Sequence, residues 1–80
     1  MDTADIATKT IDLRGLKCPM PMVNTALEIR KMNVGETLKS IADDPATMKD
    51  IPSWAKAVGH DLLLAQEENG IYTYIIRKEF

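Results

Sequence analysis

One cysteine sits among residues that could make it reactive. The stretch Arg14-Gly15-Leu16-Lys17-Cys18-Pro19-Met20-Pro21 puts Cys18 after a glycine, beside a lysine and just ahead of two closely spaced prolines. The nucleophile of a cysteine is its thiolate, and an ordinary pKa of about 8.5 falls at a helix N-terminus or next to Lys or Arg. The spacing predicts Cys18 as the N-cap of a helix, with Pro19, Met20 and Pro21 as its first three positions. Prolines fit there because first-turn N–H groups have no intrahelical partner. Their rings delete two of those donors, leave the Met20 N–H to reach the sulfur, and fix φ so that the thiol rests on a stiff platform. The helix dipole, Lys17 and Arg14 then favour an exposed, partly ionised thiol with a modestly lowered pKa. A free cysteine is more ordinarily a small buried residue. The position between a glycine turn and a proline-locked helix start argues for exposure instead.

The chemistry open to such a thiol is narrow. Cys18 is the only cysteine, so a two-thiol redox cycle has no resolving partner. His60, the only histidine, lies far along the chain, so a protease-like dyad lacks an evident base. One cysteine and one histidine also fall short of an ordinary zinc set. Reversible covalent carriage remains: the thiolate attacks a donor's sulfur, holds the new group and waits for the next nucleophile. Two other classes stay open on the residues, a non-catalytic regulatory interaction domain and a redox-sensing thiol. Around this centre, Asp43 and Asp44 ahead of Pro45 read as a helix cap rather than a carboxylate pair. Met22 and Trp54 read as core, Met20 as an apolar docking rim, and His60 as a turn or strand-start residue. Arg77 and Lys78 read as charges blunting a strand end.

The elements that must position the thiol follow from periodicity. Ile11 and Leu13 alternate with Thr10 and Asp12, a strand over 8–13 that turns at Gly15. From Pro19 the period becomes helical, with Met22, Val23, Ala26, Leu27 and Ile29 in one arc and Asn24, Thr25, Glu28 and Lys31 opposite, ending near Met32. Arg30 breaks the apolar arc and is expected to snorkel. Residues 36–42 read as a central strand. Asp44-Pro45 starts a second helix with Asp44 as N-cap, Pro52 should kink it or divide it in two, and Gly59 should stop it. Residues 60–67 and 71–78 form a hairpin around Asn69-Gly70. The order β-α-β-α-β-β predicts an α/β two-layer sandwich. Its four-stranded mixed sheet would carry both helices on one face and leave the other largely open.

The composition is consistent with that plan. Eighty residues, 45% hydrophobic and 28% charged, make one small domain over 8–80 behind a loose tail over 1–7. No apolar run approaches the ~20 residues of a membrane span. The acidic N-terminus lacks the apolar core of a secretory signal, and a lone thiol suits a reducing cytoplasm. A net charge of −2 argues against binding nucleic acid through bulk electrostatics. The charge is uneven, net +3 over 9–41 and net −4 over 42–68. A mixed solvated surface would explain that, as would a basic face around the thiol meeting an acidic partner.

With these residues assembled, the chain closely resembles the TusA-like (SirA-like) sulfur-carrier family from about Thr10 to Lys78. The resemblance is carried by Leu13 to Lys17 followed by the Cys18-Pro19-Met20-Pro21 motif, by Gly35-Glu36, by Ala42-Asp43-Asp44-Pro45, by Asp50-Ile51-Pro52 with Trp54, by Gly59-His60 and by Ile76-Arg77-Lys78. Many relatives place basic residues where this chain has Ala26 and Leu27. The resemblance implies a sulfurtransferase-type carrier in which Cys18 accepts sulfane sulfur as a persulfide, with no small-molecule cofactor. It implies donors of the cysteine desulfurase or rhodanese-like kind and acceptors such as DsrE-type relay proteins. These lead to tRNA thiolation, molybdenum-cofactor synthesis or sulfur oxidation. The carrier is expected to be a monomer that docks neither nucleic acid nor membrane. Arg14, Lys17, Pro19, Met20 and Pro21 are expected to support Cys18.

Overall fold

The computed structural model describes residues 7–80. The tail expected over 1–7 therefore lies outside the described residues apart from Ala7. The elements run β1 (Lys9–Asp12), α1 (Met20–Arg30), β2 (Thr37–Ala42), α2 (Thr47–Val58), β3 (Asp61–Glu68) and β4 (Ile71–Arg77). They form one four-stranded sheet in the order β1-β2-β4-β3. β1 lies parallel to β2, as a helical crossover requires, and β2–β4 and β4–β3 are antiparallel. The β3–β4 turn has positive φ at Asn69 and Gly70, 53° and 82°, the backbone of a two-residue type I′ hairpin.

The core explains the layering. Leu38 pairs with Ile76 and Ser40 with Tyr74, so these side chains share one sheet face. Leu38, Tyr74 and Ile76 cluster with Ile29 of α1 and Ile51 of α2, which places both helices over that face. Burying each Ile or Leu of the cluster stabilises by about 1.5–3 kcal/mol relative to leaving it exposed. The other face carries Lys39, Ile75 and Leu64 at matched register and, among the described residues, no helix.

One local expectation fails. The buried stripe of α1 is Pro21, Thr25 and Ile29, whereas Leu27 is 47% exposed. Thr25 can turn inward because its hydroxyl donates to the Pro21 carbonyl at 2.9 Å and lies 3.2 Å from Ser40 Oγ, which satisfies the polar atom. Of the two outcomes expected at Pro52, division into two helices does not occur, since α2 is one helix that contains it. The proline removes a single N–H, the one that would have met the Met48 carbonyl, and Met48 lies on the exposed side. Gly59 ends the helix as expected, at φ 97°. Trp54 is half-buried and packs against the core cluster, as do Met22 and Met32.

Candidate functional site

Because β1 and β2 are parallel, the segments leaving their C-terminal ends emerge on the same edge of the sheet. The Cys18 loop follows β1, and Asp43 and Asp44 follow β2. Leu13 extends the pairing by donating to the Ile41 carbonyl at 2.6 Å. The chain then turns at Gly15, whose φ of 89° suits glycine. The Gly15 N–H donates to both Asp43 carboxylate oxygens, at 3.0 and 3.2 Å. Three residues on, the Cys18 N–H donates to Asp44 Oδ2 at 2.8 Å. The other oxygen of Asp44 accepts the Ala46 N–H at 3.1 Å and so caps the turn that leads into α2. The N-cap role expected of Asp44 falls instead to Ala46, which has no side-chain cap hydrogen bond, because the helix starts only at Thr47; Asp44 closes the turn ahead of it and the same carboxylate grips the thiol loop.

The loop delivers Cys18 one residue earlier than expected. The N-cap of α1 is Pro19, reached through a cis Cys18–Pro19 peptide, and the helix begins at Met20. The Met20 N–H is spent on the Lys17 carbonyl at 2.9 Å and does not reach the sulfur. Cys18 is exposed, and its Sγ donates to Asp50 Oδ2 at 2.8 Å. Asp50 belongs to α2, which starts beside the loop for the same topological reason as Asp43 and Asp44.

These contacts reverse the expected ionisation. The Cys18 pKa is raised, first by the hydrogen bond that the thiol donates to Asp50, then by lost solvation and by the charges of Asp50 and Asp44. The Asp44 carboxyl is held below the usual range by the N–H groups of Cys18 and Ala46, with help from the Lys17 charge. The anticipated support from Arg14 is absent. Its guanidinium forks onto Asp12 with two contacts of 2.9 Å and holds that carboxyl at about 2. Lys9 pairs with Glu28, as does Lys31. Of the two readings of the uneven charge, the basic face around the thiol is not the one found: three aspartates gather there, with Lys17 beside them.

The remaining residues sort by distance from this edge. Met20, 44% exposed, follows the thiol by two residues, and Pro21 is buried. His60 lies beyond the other end of α2. Its Nδ1 accepts the Glu79 N–H at 3.1 Å, and its ring stacks on Phe80 with centroids 4.6 Å apart. Arg77 ends β4 in ion pairs with Asp61 and Glu79. Lys78 caps α1, its Nζ donating to the carbonyls of Arg30 and Met32 at 3.3 and 2.7 Å. A groove of about 280 Å³ over Ile29, Trp54, Val58 and Phe80 also opens at that far end, away from the thiol. Among the described residues, no group of three or more His, Cys, Asp or Glu side chains could hold a metal ion. No described helix is long and apolar enough to cross a membrane. Asp50 is the site residue that reasoning from sequence missed. The parallel crossover was its available signal, since that topology sets the start of the second helix beside the first loop.

A family model described as sulfurtransferase TusA matches residues 9–78. The crystal structure of a SirA-like protein from Desulfitobacterium hafniense is similar with a TM-score of 0.79, covering 91% of this chain and 100% of that one. At 19% identity this likeness shows the fold. The family match spans every strand and both helices and takes in the pinned Cys18 loop, so the chain belongs to the sulfurtransferase TusA family.

Proposed function

We propose that the protein is a sulfur carrier that loads sulfane sulfur onto Cys18 as a persulfide and hands it to a partner protein. The observation that supports this most is an exposed, solitary thiol whose loop is clamped to the sheet edge by Asp43 and Asp44. A clamped loop presents the sulfur in one orientation to a partner's active site, which lowers the ordering cost of docking. In loading, Cys18 sulfur attacks the outer sulfur of a donor persulfide. The donor's S–S bond breaks, its inner sulfur leaves as a thiol, and the Cys18 proton is accounted for there. In delivery, an acceptor thiol attacks the outer sulfur, the S–S bond to Cys18 breaks, and Cys18 is regenerated as a thiol. Sulfane sulfur changes hands without an external oxidant or cofactor.

Cysteine desulfurases and rhodanese-like proteins fit the donor role, and DsrE-type relay proteins fit the acceptor role. The sulfur would then serve tRNA thiolation, molybdenum-cofactor synthesis or sulfur oxidation. A single thiol that must stay free between transfers belongs in a reducing compartment such as the cytoplasm. The test uses a purified cysteine desulfurase with sulfur-labelled cysteine and a DsrE-type acceptor. The parent chain should take up reductant-releasable label and pass it on, and Cys18→Ser should stay folded and take up none. A folded parent that takes up no label would leave the interaction-domain reading in its place.

A further inference from the structure

We infer that Asp50 is the acid–base partner of the carrier sulfur, taking the Cys18 proton as sulfur is loaded and supplying one to Cys18 as sulfur leaves. This rests on the carrier role proposed for Cys18. The three aspartates at the site are not equivalent. Asp43 and Asp44 spend their carboxylates on backbone N–H groups of the loop and of the turn into α2. Among the described residues, the Asp50 carboxylate has one hydrogen-bond partner, and it is the reacting atom, Cys18 Sγ at 2.8 Å.

Both ends of that contact are held independently. Asp44 fixes the Cys18 backbone. Asp50 adjoins the fully buried Ile51, and the start of its helix is tied down by Thr47. The Thr47 hydroxyl donates to the Asp44 carbonyl at 2.7 Å and lies 2.8 Å from Tyr74 Oη. The charged groups facing the sulfur are Asp50 from α2 and Asp44 from the segment before it. Lys17, on the loop itself, acts on Asp44. With that surplus of negative charge the resting sulfur carries its proton, and attack must release it.

The proton balance closes at Asp50. As Cys18 sulfur bonds to the outer sulfur of a persulfide donor, its S–H proton passes to Oδ2. The donor S–S bond breaks, and the departing inner thiolate collects that proton. In delivery the acceptor thiol releases a proton to Asp50 as its sulfur attacks, and Cys18 Sγ collects it on leaving. The sulfane sulfur only exchanges one sulfur partner for another.

Asp50→Asn separates proton transfer from simple charge repulsion. Iodoacetamide needs only the thiolate, so removing the carboxylate should shift the alkylation profile of Cys18 to lower pH and speed alkylation at pH 7. Loading by glutathione persulfide at pH 7, followed by intact mass, should instead slow by at least about tenfold, a conservative figure beside the usual ~10²–10⁴ from general acid–base catalysis. Asp50→Ser should show the same opposed responses, and circular dichroism checks that both variants fold. If alkylation and loading both speed up, Asp50 is only an electrostatic brake and the inference falls. It falls equally if neither rate moves. A parent chain that cannot be loaded refutes the carrier role itself, whereas a parent that loads no faster than the variants refutes Asp50 alone.

Discussion

Replacing Thr25 by Val tests how α1, and with it the Cys18 loop, is anchored to the sheet. Thr25 and Ser40 are both fully buried, one on α1 and one on β2. The Thr25 hydroxyl has a single proton and donates it to the Pro21 carbonyl, so across the 3.2 Å contact Ser40 must be the donor. Val keeps the shape of Thr and strands the Ser40 O–H in the core, which should cost about 1–3 kcal/mol. Ser40→Ala removes the donor and leaves Thr25 bonded to Pro21, so its cost should be about 0.5–1.5 kcal/mol. In the double variant no stranded hydroxyl remains, and its cost should fall about 1 kcal/mol short of the sum of the singles. Urea unfolding followed by circular dichroism gives all four free energies. In a domain of this size each kcal/mol also moves Tm by about 4–8 °C. Additive singles, or a Thr25→Val variant as stable as the parent, would refute the reasoning.

Tyr74→Phe should lower stability by about 1 kcal/mol, because Tyr74 donates to Thr47, whose own proton goes to the Asp44 carbonyl; an unchanged urea midpoint would contradict it. The pH response of Asp12 has a definite sign. Its folded carboxyl sits at about 2 against an ordinary 3.8, through the Arg14 fork. Its contribution is therefore complete above the ordinary value and is lost as pH falls from there through about 2. The pair is exposed, so the effect is small. Asp12→Asn should nevertheless lose less stability than the parent over that window, and parallel melting curves would count against the pairing.

Much of the fold is legible because its signals are local. Asn69-Gly70 can take two positive φ angles, Gly59 ends α2 in the left-handed region, and Asp44-Pro45 opens the turn into α2. The inward face of α1 was not legible in the same way. A threonine reads as polar until the Pro21 carbonyl and Ser40 are known to satisfy it. The thiol followed the same pattern. Cys18 and its prolines mark it as the candidate reactive centre, but its ionisation is set by Asp44 and Asp50, which are 26 and 32 residues away. Arg14 misled for a local reason. It answers Asp12, two residues before it, and leaves the thiol to the aspartates.

The most direct test of the carrier claim is the location of the sulfur after loading by a cysteine desulfurase, read by intact mass and then by peptide mapping without reductant. The account predicts one added sulfur per chain, on the Cys18 peptide, removed by dithiothreitol and absent from Cys18→Ser. Sulfur retained in that variant, or a parent chain whose mass does not change, would contradict it.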